Sequence, residues 1–254
     1  MPRPQHRPSS IGIGLFLAVV LSLPPGLAHG ASVDHGLYAQ LLERYVKDGV
    51  VDYSGFQKER QTLEAYLDLL AEIDTDTLTP DEQFAFFVNA YNAWTIWLIL
   101  TKYPNIESIK DLGSLFKSPW KMEIARIDGE LMSLDHIEHG ILRKRFPDPR
   151  VHFAVNCASK SCPPLLSEPY RGDTLDRQLD GATRDFINDP ENNRLEGDTL
   201  YVSKIFDWYG EDFDGEIVGF FLRYARADLK RRLEQNRDRI DVKYLDYDWS
   251  LNGY

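Results

Sequence analysis

The feature that most constrains the fold is the segment from Pro80 to Leu100, which carries apolar residues on every side. Its start has the pattern of a helix N-terminus, with Thr79 as the N-cap, Pro80 at the first helical position and Glu82 completing a capping box. A helix without a polar face has to lie in the interior of a protein. The sequence therefore predicts a central, buried helix over residues 80–100.

Two asparagines interrupt this apolar helix. Asn89 and Asn92 are three residues apart, which places them on one face. Buried amides need hydrogen-bond partners, so these two side chains either hold neighbouring backbone or point into a functional site.

The rest of the chain predicts more helices than strands. Helical spacing of apolar residues recurs in five segments, at 36–48, 55–73, 134–145, 174–188 and 216–236. Turn dipeptides predict hairpins at 121–133 and 195–202, and residues 240–249 alternate like a final strand. The predicted class is α/β or α+β: a single, mostly helical domain around a small sheet, with the buried helix at its centre.

The N-terminus has the pattern of a secretory signal peptide. Arg3 and Arg7 precede an apolar run from Ile11 to Leu23, and small residues at Ala28 and Gly30 precede a predicted cut before Ala31. We therefore expect residues 1–30 to be removed and residues 31–254 to form one domain in the periplasm or outside the cell, without stable membrane insertion.

The charge of the chain limits its partners. The formal net charge is −11 at pH 7, and removal of the signal segment takes away two arginines and no acidic residue. Nucleic acids and anionic lipids select basic surfaces. We expect no nucleic-acid partner and predict instead a small-molecule or peptide substrate.

Both cysteines of the chain lie in one short stretch, Val151 to Pro164, which reads VHFAVNCASKSCPP. Residues 151–155 are rich in β-branched and aromatic residues and predict a buried strand, with Cys157 just beyond its C-terminal end. A thiol there is well placed for chemistry. However, an exported chain with only Cys157 and Cys162 also permits a disulfide between them.

A thiol site needs a base. Cys157 is the predicted nucleophile, and His139 on the helix over 134–145 is the predicted base, with Glu138 or Asn89 orienting it. Asn92 and Ser159 are predicted to bind the substrate. If the disulfide forms, this mechanism is excluded unless the bond is reduced in use.

A metal site is the weaker alternative. His136 and His139 could share a helix face with His152 or Cys157 as a third ligand, but two histidines three residues apart do not match known zinc motifs. The sequence also lacks a phosphate loop and a dinucleotide fingerprint. We predict no metal and no cofactor.

Several of these motifs resemble the family known as domain of unknown function 547, in an exported bacterial form. The matching segments are residues 51–53 (VDY), 86–93 (FFVNAYNA), 137–143 (IEHGILR), 152–157 (HFAVNC), 161–163 (SCP) and 247–252 (YDWSLN). The resemblance covers nearly all of residues 31–254 and implies no activity and no established catalytic residues. The chain departs from the family at His136, where similar proteins tend to have an acidic residue.

Two classes of function follow. The favoured hypothesis is a thiol-dependent hydrolase or transferase acting on an amide or thioester, although His139 precedes Cys157 in the chain, opposite to papain-like enzymes. The alternative is a non-catalytic periplasmic binding or assembly module in which a Cys157–Cys162 disulfide fixes the loop. Counting free thiols separates the two.

Overall fold

The computed structural model describes Met1, residues 32–114 and residues 117–254. The predicted signal peptide lies, apart from Met1, outside the described residues. None of the helices in the described part of the chain has the length and apolar character needed to cross a bilayer.

Helices make up most of the fold. The α-helices are α1 (Gly36–Tyr45), α2 (Tyr53–Lys58), α3 (Arg60–Ala71), α4 (Pro80–Leu100), α5 (Arg143–Arg145), α6 (Leu175–Ile187), α7 (Ile205–Trp208), α8 (Ile217–Tyr224) and α9 (Ala227–Asn236). A π-helix spans His136–Leu142, directly before α5.

The strands of the described residues lie in three small sheets. They are β1 (Val46–Lys47), β2 (Val50–Val51), β3 (Glu123–Ile127), β4 (Glu130–Ser133), β5 (Arg194–Glu196), β6 (Thr199–Val202) and β7 (Asp241–Tyr244). The pairs β1–β2, β3–β4 and β5–β6 are antiparallel, and β7 joins β6 in parallel. The predicted class, a mostly helical fold with little sheet, is confirmed.

Helix α4 is the centre of the fold, as its sequence predicts. The Thr79 side chain accepts a hydrogen bond from the backbone N–H of Glu82 at 3.3 Å, which caps the helix as expected. Sixteen of its residues are buried, because α2, α3, β3 and the π-helix surround it. A second apolar cluster, built on Phe153 and Phe206, lies outside this main core.

The predicted strand over 151–155 is wrong. The chain forms a 3₁₀ helix over Pro149–Phe153, which begins where the Asp148 carboxylate accepts a hydrogen bond from the Arg150 N–H at 2.9 Å. Val151 packs into the main core, while Phe153 packs into the second cluster. The β-branched and aromatic residues of this segment are thus buried by two separate cores, and no partner strand is involved.

The predicted helix over 216–236 is two helices. The chain leaves helical geometry at Ala225, between α8 and α9. The Asn188 side chain donates to the Tyr224 carbonyl at 3.0 Å and accepts from the Arg226 N–H at 2.7 Å. Because one amide satisfies both backbone groups at the break, the interruption costs little.

The C-terminal segment, residues 246–254, returns to the centre of the fold. Its backbone bonds to the loop between the two cysteines, with Lys160 N–H donating to Ser250 at 2.9 Å and Ser161 N–H donating to Asp248 at 3.2 Å. This pairing carries Tyr247 and Trp249 to the candidate site.

Candidate functional site: a cavity beside the Cys157–Cys162 disulfide

A cavity of about 260 Å³ opens between the π-helix, the cysteine loop and the C-terminal segment. Its polar lining comes from Asp135, Glu138, His139 and His152, and Cys157 forms part of the wall. Its aromatic lining residues are Tyr91, Trp120, Trp208, Tyr209, Tyr247 and Trp249. The three predicted residues Glu138, His139 and Cys157 therefore line one cavity, although they come from two separate segments.

The two cysteines are joined in a disulfide, and their Cα atoms are 6.2 Å apart. Neither is free. Cys157 is half-buried and faces the cavity, whereas Cys162 is buried. The hydrogen-bond partners of the Cys157 sulfur are the hydroxyls of Ser159 and Tyr247, each at 3.2 Å, and no imidazole is among them in the described structure.

The loop between the cysteines is fixed by one buried amide. Ala158 has a left-handed backbone with φ of 61°, and its N–H donates to the Asn156 side chain at 2.9 Å. The same side chain donates to the Pro163 carbonyl at 2.8 Å. These bonds close the loop from inside, so that Cys157 is held by more than the disulfide.

Glu138 is a buried carboxylate held by phenols. The Tyr209 hydroxyl donates to it at 2.7 Å, and the Tyr91 hydroxyl lies beside it. Burial, and then the charge of Glu138, raise the pKa of both tyrosines above the usual range, so both stay protonated and able to donate.

His139 follows Glu138 on the π-helix, and both line the cavity. The wider turn of a π-helix brings consecutive side chains closer in direction than an α-helix does. However, the Nδ1 atom of His139 lies 3.1 Å from the Arg143 guanidinium, which can only donate. His139 is half-exposed and makes no hydrogen bond to Cys157 within the described structure.

His152 is the most buried histidine of the cavity. Its Nε2 lies 2.6 Å from the Asp212 carboxylate, and its ring stacks on Tyr209 with centroids 4.0 Å apart. Asp212 also accepts from Arg143, at 2.6 and 2.9 Å. Burial raises the pKa of Asp212, but the bonds from His152 and Arg143 more than offset this and hold it below the usual range.

Three other predicted site residues lie outside the cavity lining. Asn89 donates to the Tyr170 carbonyl at 2.8 Å and accepts from its N–H at 2.9 Å. Asn92 donates to the Ala154 carbonyl at 2.9 Å and accepts from the Asn156 N–H at 2.8 Å. Ser159 is buried behind Cys157. Both asparagines thus hold neighbouring backbone, one of the two uses that their burial predicts.

The metal alternative finds no ligand set in the described residues. His136 is exposed on the π-helix, and the described part of the chain contains no group of three His, Cys, Asp or Glu side chains arranged to hold an ion.

The aromatic rim comes from three distant segments. Trp208 stacks near Tyr247 and Trp249 with centroids 4.8 and 5.6 Å apart, and Trp120 contacts Trp249 at 5.5 Å. Lys110 lies over the Trp249 ring at 3.8 Å. Trp208 is 43% exposed, so this rim presents an aromatic surface to solvent.

Sequence reasoning missed Asp212, Tyr209 and Tyr247, and it considered His152 only as a metal ligand. The aromatic-dense stretch over 205–209 was a usable signal for Tyr209. No sequence signal pairs His152 with Asp212, because sixty residues separate them.

Part of the chain matches a known protein family. The family model described as "Protein of unknown function, DUF547" matches residues 75–187. The chain carries a DUF547 domain. The match contains α4, the π-helix and both cysteines, so the cavity lining from Tyr91 to Pro163 belongs to the DUF547 segment, while Asp212, Tyr209 and the C-terminal segment lie beyond it. No match was found among curated proteins or among solved structures.

Proposed function

We propose that this DUF547 protein binds a small organic molecule in the cavity. The observation that carries the proposal is the lining itself, which joins six aromatic side chains to two carboxylates and contains, among the described residues, no lysine or arginine. A concave apolar site with a few convergent polar groups is the usual form of a small-molecule site.

The chemistry of the lining favours an organic amine. Aromatic faces attract cations, and the carboxylates of Asp135 and Glu138 add negative potential at the same place. The net charge of −11 has the same sign. The ligand we propose therefore has an apolar or aromatic body and a protonated amine directed towards Glu138.

In this proposal the disulfide is structural. It closes the loop that carries Cys157 to the cavity wall, and the loop pairs with the C-terminal segment that supplies Tyr247 and Trp249.

A matched pair of probes tests the proposal. 2-Phenylethylamine and phenylacetate carry the same ring with opposite charge, and the rim tryptophans report binding through their fluorescence. We expect saturable binding of the amine, weaker binding in Glu138→Gln and Trp208→Ala, and little response to phenylacetate. Equal binding of the two probes would refute the preference for a cation that we assign to Asp135 and Glu138. No saturable response to either probe would refute the binding site.

A second candidate function is the thiol-dependent hydrolase or transferase with Cys157 and His139. The observation in its favour is that Cys157 lines the cavity, whereas Cys162 does not. It requires a free thiol. Titration of the unfolded, unreduced protein with a thiol reagent is expected to find none; two free thiols would favour the enzyme over the structural disulfide.

We also propose that the protein is exported to the periplasm or the medium. The support is the signal-peptide pattern of residues 1–30 and the presence of a disulfide, which forms in oxidising compartments. Mass spectrometry of the protein from its natural host should find an N-terminus near Ala31. An intact N-terminus starting at Met1 in the cytoplasm would contradict export.

A further inference from the structure

His152 has an unsatisfied nitrogen. Three buried side-chain polar atoms of the described residues lack a hydrogen-bond partner: Tyr38 Oη, Trp94 Nε1 and His152 Nδ1. Of these, His152 alone lines the cavity. Its side chain is 1% exposed. A buried polar atom without a partner is costly, so it calls for a physical explanation.

The hydrogen bond to Asp212 fixes the tautomer of the neutral ring. A carboxylate accepts hydrogen bonds only, so the proton of neutral His152 lies on Nε2, facing Asp212. Nδ1 then carries a lone pair directed away from Asp212. Two bonds from Arg143 hold Asp212 in place. A carboxylate that orients the imidazole of a cavity-lining histidine, and leaves its second nitrogen without a partner, is the arrangement of a general base.

His139 lacks these properties. Its Nδ1 faces the Arg143 guanidinium, its ring is half-exposed, and no carboxylate orients it. The two histidines therefore differ in the feature that a base needs, which is an oriented ring with a free nitrogen.

We propose that His152, positioned by Asp212, is the base for the Cys157 thiol once a dithiol has reduced the disulfide. This goes beyond ligand binding, but it uses the same cavity, because His152 and Cys157 both line it. In the disulfide form the Cys157 sulfur is held against Cys162, Ser159 and Tyr247. Release from Cys162 frees it to rotate within the cavity towards Nδ1.

The chemistry that this site would perform is acyl transfer. The reducing dithiol becomes a disulfide and leaves two thiols on the protein. His152 Nδ1 then takes the proton of Cys157, and the thiolate attacks the carbonyl carbon of an ester, thioester or amide. A carbon–sulfur bond forms, the leaving group departs with the proton from the imidazolium, and water hydrolyses the acyl-enzyme to restore the thiol. The aromatic rim favours substrates with an apolar group beside the carbonyl.

The variant Cys162→Ser provides a free Cys157 without a reductant. Serine can accept the bonds that Cys162 now receives from the Cys157 N–H and the Tyr247 hydroxyl, at 2.9 and 3.2 Å. In this background we compare iodoacetamide alkylation of Cys157 at pH 7 with and without His152→Gln, His139→Gln and Asp212→Asn. Near-ultraviolet circular dichroism reports whether each variant is folded.

We expect His152→Gln to slow alkylation at least about tenfold, because an unassisted thiol is only a few per cent ionised at pH 7. His139→Gln should change the rate less than about twofold, since the Nδ1 atom of His139 faces the Arg143 guanidinium. Asp212→Asn should slow alkylation, whereas Asp212→Glu should restore part of the rate, which a purely structural role would not predict.

Two results would overturn the proposal: a slower rate in His139→Gln than in His152→Gln, or alkylation of folded Cys162→Ser no faster than that of the urea-unfolded protein. If Cys162→Ser does not fold, the same comparison is made on the protein reduced with dithiothreitol, with peptide mapping to separate Cys157 from Cys162. Because alkylation reports only on the thiol, failure here leaves the amine-binding experiment intact, and the reverse also holds.

Discussion

Replacing Asn92 with leucine is the sharpest test of how the central helix supports the site. Asn92 is 2% exposed. It donates to the Ala154 carbonyl at 2.9 Å and accepts from the Asn156 N–H at 2.8 Å. The backbone it holds runs directly into Cys157. Leucine has a similar size and no polar atoms, so the substitution removes both bonds and leaves two backbone groups buried without partners.

The magnitude follows from these two groups. Each buried backbone group left without a partner costs about 1–3 kcal/mol, which gives a loss of about 2–6 kcal/mol for the pair. In a domain of this size, 1 kcal/mol shifts Tm by about 2–4 °C, so we expect Tm to fall by about 4–24 °C.

Urea unfolding followed by tryptophan fluorescence measures the free energy of unfolding, with Gln61→Leu as a matched control. Gln61 is exposed on α3, so the same kind of polar-to-apolar change there should stay within about 0.5 kcal/mol of the wild type. A loss below about 1 kcal/mol in Asn92→Leu, or an equal loss in both variants, would refute the reasoning that this amide holds the loop.

Three other predictions concern groups elsewhere in the fold. Burial and the charge of Arg171 lower the pKa of His35 to about 4, so folding favours its neutral form. The free energy of unfolding at pH 7 should therefore fall by on the order of 3 kcal/mol between pH 6.5 and 4. Urea unfolding repeated across that pH range should show a flatter pH dependence in His35→Gln. Replacing both Cys157 and Cys162 with serine should cost about 2 kcal/mol, the chain-entropy value for so short a loop; thermal unfolding checks this, and an unchanged Tm would contradict a structural role. Tyr209→Phe removes only the hydroxyl that bonds the buried Glu138 carboxylate. We expect the free energy of unfolding in urea to fall by about 1–3 kcal/mol and the binding of 2-phenylethylamine to weaken. Wild-type stability would show that the carboxylate finds another donor.

The sequence determined the features that depend on local chemistry. Thr79 and Pro80 set the start of α4, where the Thr79 side chain accepts from the Glu82 N–H, since capping involves only neighbouring residues. Its all-round apolar surface required a central position. The turns at Asp128-Gly129 and Gly197-Asp198 formed as predicted, because the positive φ values of Asp128, Gly129 and Gly197 close each hairpin within two residues.

Tertiary packing decided where the local pattern was ambiguous. Residues 151–155 have the composition of a strand, yet burial of Val151 and Phe153 in two different cores makes them part of a short helix. No proline or glycine at Ala225 indicates the break between α8 and α9 in the sequence. The break is stabilised by the side chain of Asn188, which lies more than thirty residues away.

The candidate site divides in the same way. Glu138, His139 and Cys157 could be selected from the sequence, since the residue types and short connections that group them are visible in the chain. The pairing of His152 with Asp212, and the return of Tyr247 to the cysteine loop, depend on contacts between residues sixty and eighty or more positions apart. Such contacts are set by how the cores pack, and no local pattern of residues encodes them.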